Sequence, residues 1–393
     1  MYIIVWRFLY MNIKKLGAAL ITVAMLVSLA GCNKDTTGDT PAETTVTEAA
    51  VVHDEIRDIP SVELVKEIKI GWSLGNTLDS VATGMTAEMA WGNMKTTKEM
   101  ITAVKDGGFN AIRVPVTWGT HMDAENNVDE EWMNRVQEVV DYAYTQDMFV
   151  ILNIHHEDWH DPYYDNAEAS IEKLKALWTQ IGTRFADYDE RLIFEGMNEP
   201  RKRNTPHEWN GGDKEGHDVV NQMNAAFVET IRGLGGNNAK RHLMLPTYAA
   251  NSGVSAIGDF VLPEGDDKLI VSIHAYLPYN FALGGNMEQR EFTPDEGNAS
   301  EILFLMETLN NNFISKGIPV IIGETGARSK ANEETRAVWA TYYISKAKEI
   351  GIPCFIWDNG AFNGTGENFG LLNRVNCTWK YPAIIEGFMK GLE

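Results

Sequence analysis

Short, strongly apolar runs alternate along this chain with longer segments whose apolar residues recur every three or four positions. Eight such runs stand out: Ile68–Asn76, Phe109–Val116, Phe149–His156, Leu192–Pro200, His242–Tyr248, Lys268–Tyr276, Ile318–Gly326 and Ile352–Gly360. Near-continuous apolar runs of this length read as strands buried on both faces, the habit of a parallel sheet. Between them, Glu131–Tyr144 places Trp132, Val136, Val139, Val140 and Ala143 on one helical face. Ala167–Phe185, Val219–Leu234, Ser300–Lys316 and Glu334–Ile350 carry similar spacing. Several runs open alike, because Gly-Phe-Asn, Gln-Asp-Met, Lys-Gly-Ile-Pro and Ile-Gly-Ile-Pro each end a helix and enter a buried strand. Eight strand–helix pairs predict an α/β fold of one domain, a (β/α)8 TIM barrel with its site at the strands' C-terminal ends. A doubly wound open sheet is the rival, and it would want a phosphate-binding turn after the first strand. Gly71-Trp72-Ser73-Leu74-Gly75-Asn76 does not match G-x-G-x-x-G, and no G-x-x-x-x-G-K-[ST] occurs, so nucleotide binding has no support.

Composition narrows the functional classes. The 393 residues include 55 acidic and 34 basic side chains, a net charge of -21, which argues against nucleic acid as a partner. With 44% hydrophobic residues and 11 tryptophans the chain can fill a large core, and three cysteines cannot make a disulfide scaffold.

The N-terminus reads as an address. Lys14 and Lys15 precede an apolar run from Leu16 to Ala30 that ends at Gly31-Cys32, the pattern of an export signal. Leu29-Ala30-Gly31-Cys32 resembles a bacterial lipobox, with Cys32 as the lipidated residue; an ordinary signal peptide or an uncleaved anchor are the alternatives. Met11 opens a more conventional signal than Met1 does. Residues 1–31 are therefore expected to be the signal, 32–60 a Thr-rich acidic tether and 61–393 the one folded barrel domain. A lipid anchor would be the only membrane contact of a protein exported to the cell surface, or secreted.

Polar residues collect where the apolar runs end. Arg113 closes the second run, His155-His156-Glu157 the third, and Asn198-Glu199-Pro200 the fourth. His274-Ala275-Tyr276 closes the sixth, Gly323-Glu324-Thr325 the seventh and Trp357-Asp358-Asn359 the eighth. A lone charge after a strand is usually a cap or a solvated loop residue, but a barrel brings all of these ends to one mouth. Glu199 and Glu324 follow strongly apolar strands directly and become a facing acid pair. Carboxylates about 5–5.5 Å apart suit retaining glycoside hydrolysis, and a gap of about 6.5–9.5 Å suits inversion.

Other chemistries fit less well. His156-Glu157-Asp158-Trp159-His160 matches H-E-x-x-H, but that zinc motif works only on a helix, and here it follows a strand with Pro162 close behind. A metal hydrolase built on His155, His156 and His274 is a further rival. No G-x-S-x-G appears. Cys354 lies inside the eighth run as a small hydrophobe; whether it pairs with Cys377 is not readable.

At these residues the chain resembles glycoside hydrolase family 5, the family of cellulases and related β-glycanases. The likeness rests on Gly71-Trp72-Ser73-Leu74-Gly75-Asn76-Thr77-Leu78-Asp79, Ile112-Arg113-Val114-Pro115-Val116 and Leu152-Asn153-Ile154-His155-His156-Glu157. It continues through Phe194-Glu195-Gly196-Met197-Asn198-Glu199-Pro200-Arg201, His274-Ala275-Tyr276, Ile322-Gly323-Glu324 and Ile356-Trp357-Asp358. The resemblance implies a retaining double displacement with Glu199 as acid/base and Glu324 as nucleophile. It further implies that Arg113 orients the nucleophile, that Asn198 bonds the sugar 2-hydroxyl, and that His274 and Tyr276 tune the acid/base and nucleophile. His155 matches a histidine at the third strand's end, and Trp357 the aromatic floor under the reacting sugar. Asn76, Asp79 and His156 are expected to bind sugar or to shape the loops. Trp91, Trp118, Trp159 and Trp209 are expected to divide between sugar stacking and packing, and Leu283–Gly297 is long for a loop.

The resulting expectation is a monomeric endo-β-1,4-glucanase acting on cellulose or mixed-linkage β-glucan, without cofactor or metal. Xyloglucanase, mannanase and xylanase activities are the nearest enzymatic rivals. A non-catalytic glycan-binding surface lipoprotein is the rival of another class.

Overall fold

The computed structural model describes residues 55–285, 289–364 and 366–393; the expected signal segment, Cys32 and most of the tether lie outside the described residues. Eight parallel strands close into a barrel in chain order. They are β1 (Gly71–Leu74), β2 (Ala111–Val114), β3 (Phe149–Asn153) and β4 (Leu192–Glu195). The circle continues with β5 (Leu243–Asn251), β6 (Leu269–His274), β7 (Val320–Thr325) and β8 (Cys354–Asp358), which pairs back onto β1. The eight apolar runs are these strands, and the (β/α)8 reading holds.

Helices α1 (Lys98–Asp106), α2 (Glu130–Tyr144), α3 (Ala167–Arg184) and α4 (Lys214–Gly233) follow β1 to β4. The short α5 (Val254–Gly258), then α6 (Glu296–Asn312), α7 (Glu333–Glu349) and α8 (Pro382–Gly391) follow β5 to β8. Two of these begin earlier than their apolar spacing shows. Asp213 caps α4 by accepting the Gly216 N–H at 2.8 Å, so the helix starts in a polar turn before Val219. Asp295 likewise caps α6, accepting the backbone N–H groups of Gly297 and Asn298 at 3.1 Å. The helix stops at Asn312, and Gly317 (φ 76°) ends the 3-10 turn beyond it. Helices α1, α5 and α8 are too short to have shown a periodic signal.

Period-two alternation sorts the strand residues. One set, including Ile112, Val114, Val150, Leu152 and Phe194, joins the large core under the helices. The other set points inward: Ala111, Phe149, Ile151, Ile193, Met244, Ile270, Ile321 and Phe355 plug the lower barrel. Two residues further along β1, β2, β3, β4 and β6 the inward positions turn polar, and Ser73, Arg113, Asn153, Glu195 and Ser272 are fully buried. An apolar plug beneath a polar layer is what lifts the chemistry to the mouth.

Residues 55–60 already carry packed contacts. Ile56 is buried, and Arg57 donates its backbone N–H to Glu190 at 2.9 Å while its guanidinium pairs with Glu67. Among the described residues, no helix is long and apolar enough to cross a membrane.

Asp358, at the end of β8, ties the mouth together. Its carboxylate accepts from Trp72 Nε1 (3.0 Å) and from the backbone N–H groups of Leu372 (2.8 Å) and Gly360 (2.9 Å). Arg374 donates to the carbonyls of Asp358 (2.6 Å) and Gly75 (3.0 Å). A Cβ at Gly75 would stand 2.6 Å from the Trp357 ring, so that approach requires glycine. Removing a buried charge with such partners leaves them unpaired. Asp358→Ala is therefore expected to lower unfolding stability by about 3–5 kcal/mol, read as a fall in the urea midpoint. An unchanged midpoint would show that the mouth is held by other contacts.

Candidate active site

Arg113 rises from β2 into the centre of the mouth and spreads its donors over three elements. Nε donates to Glu195 Oε2 (2.7 Å), Nη1 to Glu324 Oε1 (2.7 Å) and Nη2 to Asn198 Oδ1 (2.6 Å). Burial opposes its charge, and Glu195 and Glu324 more than offset this, so the guanidinium is held even more firmly protonated than usual. Glu195 also accepts from Asn153 Nδ2 (3.0 Å) and Ser272 Oγ (2.7 Å), which anchors the fork from β3, β4 and β6 together.

The second oxygen of Glu324 accepts from the Tyr276 hydroxyl at 2.8 Å. Burial, then the Glu324 charge, push the Tyr276 phenol well above its ordinary range, so it stays a donor. Across the mouth, His274 Nδ1 lies 2.8 Å from Glu199 Oε1 and 3.7 Å from Glu324 Oε2. One oxygen of each glutamate and this imidazole nitrogen all fall within 4.8 Å of one another. That places the carboxylates on the near side of the inverting range.

The proton of this cluster belongs to a pair. Burial works against a charged His274, but Glu324 and Glu199 outweigh it and raise its pKa. Burial would likewise raise Glu199; the hydrogen bond and charge of His274 outweigh it, with help from Arg201 and His156, and hold its carboxyl low. Glu199 and His274 thus keep one proton between them along a single hydrogen bond.

The remaining expected residues line two adjoining lobes of a cleft, each about 470 Å³. Asn76, Trp357, Asn359 and Glu367 border one, Glu199, Arg201, His155 and His160 the other, and Trp91 and His156 border both. His155 lies parallel to the Trp357 ring with centroids 5.8 Å apart, and burial depresses its pKa well below 6.5, so the ring is neutral. His156 donates from Nδ1 to the Asp79 carbonyl (2.8 Å), and Trp91 meets its ring edge-on. Asn76 adopts a positive φ of 58° and gives its N–H to Asp79 Oδ2 (3.0 Å). Asp79 is thus the organiser of the first loop, fully buried beneath the cleft.

The tryptophans divide. Trp118 is wholly buried, with Nε1 donating to the Asn153 carbonyl (2.9 Å), and Trp159 is half-buried with Nε1 on Glu157 (2.7 Å). Trp91 and Trp209 stand 40% and 56% exposed.

The zinc motif dissolves in the structure. Residues 154–160 form a non-helical loop, and Glu157 accepts the backbone N–H groups of Trp118 (2.7 Å) and Gly119 (3.0 Å) as a loop clasp. The three histidines of the metal reading do not form one ligand set: His155 and His156 group with Asp79, His274 with Glu199 and Glu324. By distance either group could receive a cation. Cys354 and Cys377 are free thiols, the first buried.

Glu195, Arg201 and Glu367 belong to the site without having been singled out. Glu195 was legible, since counting by twos from the inward Ile193 lands on it. Arg201 lies 3.5 Å from Glu199 Oε2 through Nη1. Glu367 sits in a glycine-rich loop that carries no periodic signal; burial, Glu199 and Glu324 raise its pKa against the pull of Arg328.

Known proteins resemble this chain in sequence and fold. The family model described as Cellulase (glycosyl hydrolase family 5) matches residues 75–363. Endoglucanase B of Neocallimastix patriciarum is 52% identical over 347 residues, covering 86% of this chain and 73% of that protein. A GH5-4 broad specificity endoglucanase from Ruminococcus champanellensis, solved with bound cellotriose, superposes with a TM-score of 0.83 at 49% identity, covering 86% and 100% of the two chains. A family 5 lichenase mutant from Caldicellulosiruptor, in complex with cellotetraose, gives 0.82 at 41% identity over 88% and 99%. Sequence, fold and comparisons agree: the chain belongs to glycoside hydrolase family 5, the cellulase family.

Proposed function

We propose that the chain is an endo-β-1,4-glucanase that hydrolyses internal bonds of cellulose-type or mixed-linkage β-glucan with retention of configuration. The observation that carries the mechanism is the acid pair, with oxygens of Glu199 and Glu324 within 4.8 Å of each other and of His274. The substrate class is supported by the names of the relatives and by the cello-oligosaccharides bound in the similar structures.

In the first step a Glu324 oxygen attacks the anomeric carbon while Glu199 gives its proton to the glycosidic oxygen, so the carbon–oxygen bond breaks and a glycosyl ester forms. Arg113 and Tyr276 hold Glu324 at 2.7 and 2.8 Å in one orientation, which fixes its line of attack. The proton comes from the Glu199–His274 pair, where a shift along the 2.8 Å bond arms Glu199 and leaves His274 neutral. In the second step Glu199 accepts a proton from water, the water oxygen bonds to the anomeric carbon, and Glu324 leaves as carboxylate. Asn198, with Oδ1 turned to Arg113, is the partner for the sugar 2-hydroxyl, and Trp357 is the floor of the reacting subsite. Asn76 and His156 serve the same lobe.

Export and lipid attachment at Cys32 are part of the same proposal, supported by Lys14, Lys15, the apolar run to Ala30 and the Leu29-Ala30-Gly31-Cys32 sequence.

Reducing-sugar release tests the reading on barley β-glucan, carboxymethyl cellulose, xyloglucan, xylan and mannan. Cleavage of the glucans is expected, unaffected by a chelator, with Glu324→Gln reducing kcat by roughly 10⁴-fold or more. Activity confined to mannan or xylan would overturn the substrate, and full activity in the variant would overturn the nucleophile. Glu195→Gln is expected to lower kcat by about 10²-fold with little change in KM, because Arg113 loses its anchor and Glu324 its alignment. A change in KM alone would assign Glu195 to substrate binding.

A further inference from the structure

Arg201 follows Glu199 by two residues in the loop that leaves β4, and three groups hold it. Nη1 donates to the Glu199 carbonyl (2.9 Å) and lies 3.5 Å from Glu199 Oε2, the oxygen that His274 does not bond. Nε donates to Glu208 Oε1 at 3.2 Å. The guanidinium carbon lies over the Trp209 ring, 4.1 Å from its centroid. Glu208 is fixed in turn by the Asn204 N–H at 2.8 Å.

Trp209 is unlike the packing tryptophans of this chain. Trp72, Trp118, Trp132, Trp178 and Trp339 are buried, whereas Trp209 is 56% exposed although Arg201 covers part of its ring. An indole stacked on a guanidinium is a flat, pre-ordered surface of the kind on which a sugar's C–H face settles. Its position is informative too. Glu199 must hand its proton to the departing oxygen, so what lies beyond Glu199 on the Arg201 side faces the departing sugar. Arg201 itself lines the lobe of the cleft that holds Glu199.

We propose that Arg201 is a positioning residue through which Trp209, as a platform for the leaving-group sugar, acts on Glu199. A neutral glucosyl unit resting on Trp209 excludes water from the Arg201 contact, and the attraction between Arg201 and the Glu199 carboxylate strengthens in the drier surroundings. Negative charge appears on Glu199 as its proton passes to the glycosidic oxygen, so the cation stabilises that change when a sugar is poised to leave. Once the sugar has gone, the contact is hydrated again and Glu199 receives a proton from water more readily. This inference rests on the assignment of Glu199 as acid/base in a glucanase.

The charged and titratable groups facing Glu199 include His274 from β6, Tyr276 from the loop after β6, Glu324 from β7, His156 from the loop after β3, Glu367 from the loop after β8, and Arg201. Of these, Arg201 alone is placed to respond to Trp209. The test compares cellopentaose, whose leaving group is a sugar that needs a proton, with 2,4-dinitrophenyl β-cellobioside, whose leaving group is neither. The variants are Trp209→Ala, Trp209→Phe, Arg201→Gln and the double Trp209→Ala/Arg201→Gln.

The ratio of kcat/KM for cellopentaose to that for the aryl glycoside is expected to fall about tenfold in Trp209→Ala and in Arg201→Gln. It should be largely kept in Trp209→Phe, and the double variant should match Arg201→Gln. Losing the cation favours the protonated pair, so the alkaline limb of kcat, which reports the sugar-bound enzyme, should move up by about one pH unit in Arg201→Gln and in the same direction in Trp209→Ala. Trp209 is exposed, so its variants report even if Arg201→Gln folds poorly. An unmoved ratio and limb in Trp209→Ala, or multiplicative losses in the double variant, would overturn the relay. A wild-type enzyme that does not cleave cellopentaose would overturn the glucanase reading, and this inference with it.

Discussion

A single guanidinium holds the mouth of this barrel in register. Arg113 is fully buried and would be untenable alone, because a desolvated charge without partners is far costlier than any packing it could supply. It is tolerated because Glu195 and Glu324 surround it at 2.7 Å and Asn198 accepts its third arm at 2.6 Å. The dependence is mutual. Two buried carboxylates at one mouth repel each other, and the cation hydrogen-bonded to both offsets that repulsion. The orientation of Glu324, the turn after β4 that presents Glu199, and the polar layer above the apolar plug all follow from satisfying one fork.

The second constraint is where the cluster keeps its proton. Glu324, Glu199 and His274 lie within 4.8 Å, too close for their charges to be independent. His274 is raised chiefly by Glu324, and Glu199 is lowered chiefly by His274. When Glu324 becomes an ester it loses its charge, so the strongest influence raising His274 disappears. The proton affinity of the pair then falls, so Glu199 stays ionised after giving up its proton, the form it must have before it acts as a base. The chemistry of one carboxylate thereby resets the other through an imidazole that need not touch the substrate.

Much of this was legible in the chain. The eight apolar runs fixed the barrel, and the barrel made Arg113, Glu199, His274, Tyr276, Glu324 and Trp357 neighbours, because strand ends in a closed parallel sheet have nowhere else to point. Most strand limits were overrun, since apolar residues such as Ile68 and Ile70 continue the core past the last ladder hydrogen bond, whereas β5 runs on to Asn251, past the expected end at Tyr248. Helix starts were missed where the capping turn is polar, as at Asp213. The H-E-x-x-H string was read correctly as a decoy from its setting after a strand. Glu195 is legible too, two positions beyond the inward Ile193 on β4. Arg201 and Glu367 stand in loops, whose paths depend on long-range contacts that no periodicity records.

The account's central claim is that Glu324 attacks the sugar directly, and stereochemistry tests it without any substitution. Proton NMR during the first minutes of cellopentaose hydrolysis reads the anomer released before mutarotation. Initial accumulation of the β-anomer is the result that a double displacement through Glu324 predicts. Initial α-anomer would mean that water attacks in a single step, and the close pairing of Glu199 with Glu324 would then need another explanation.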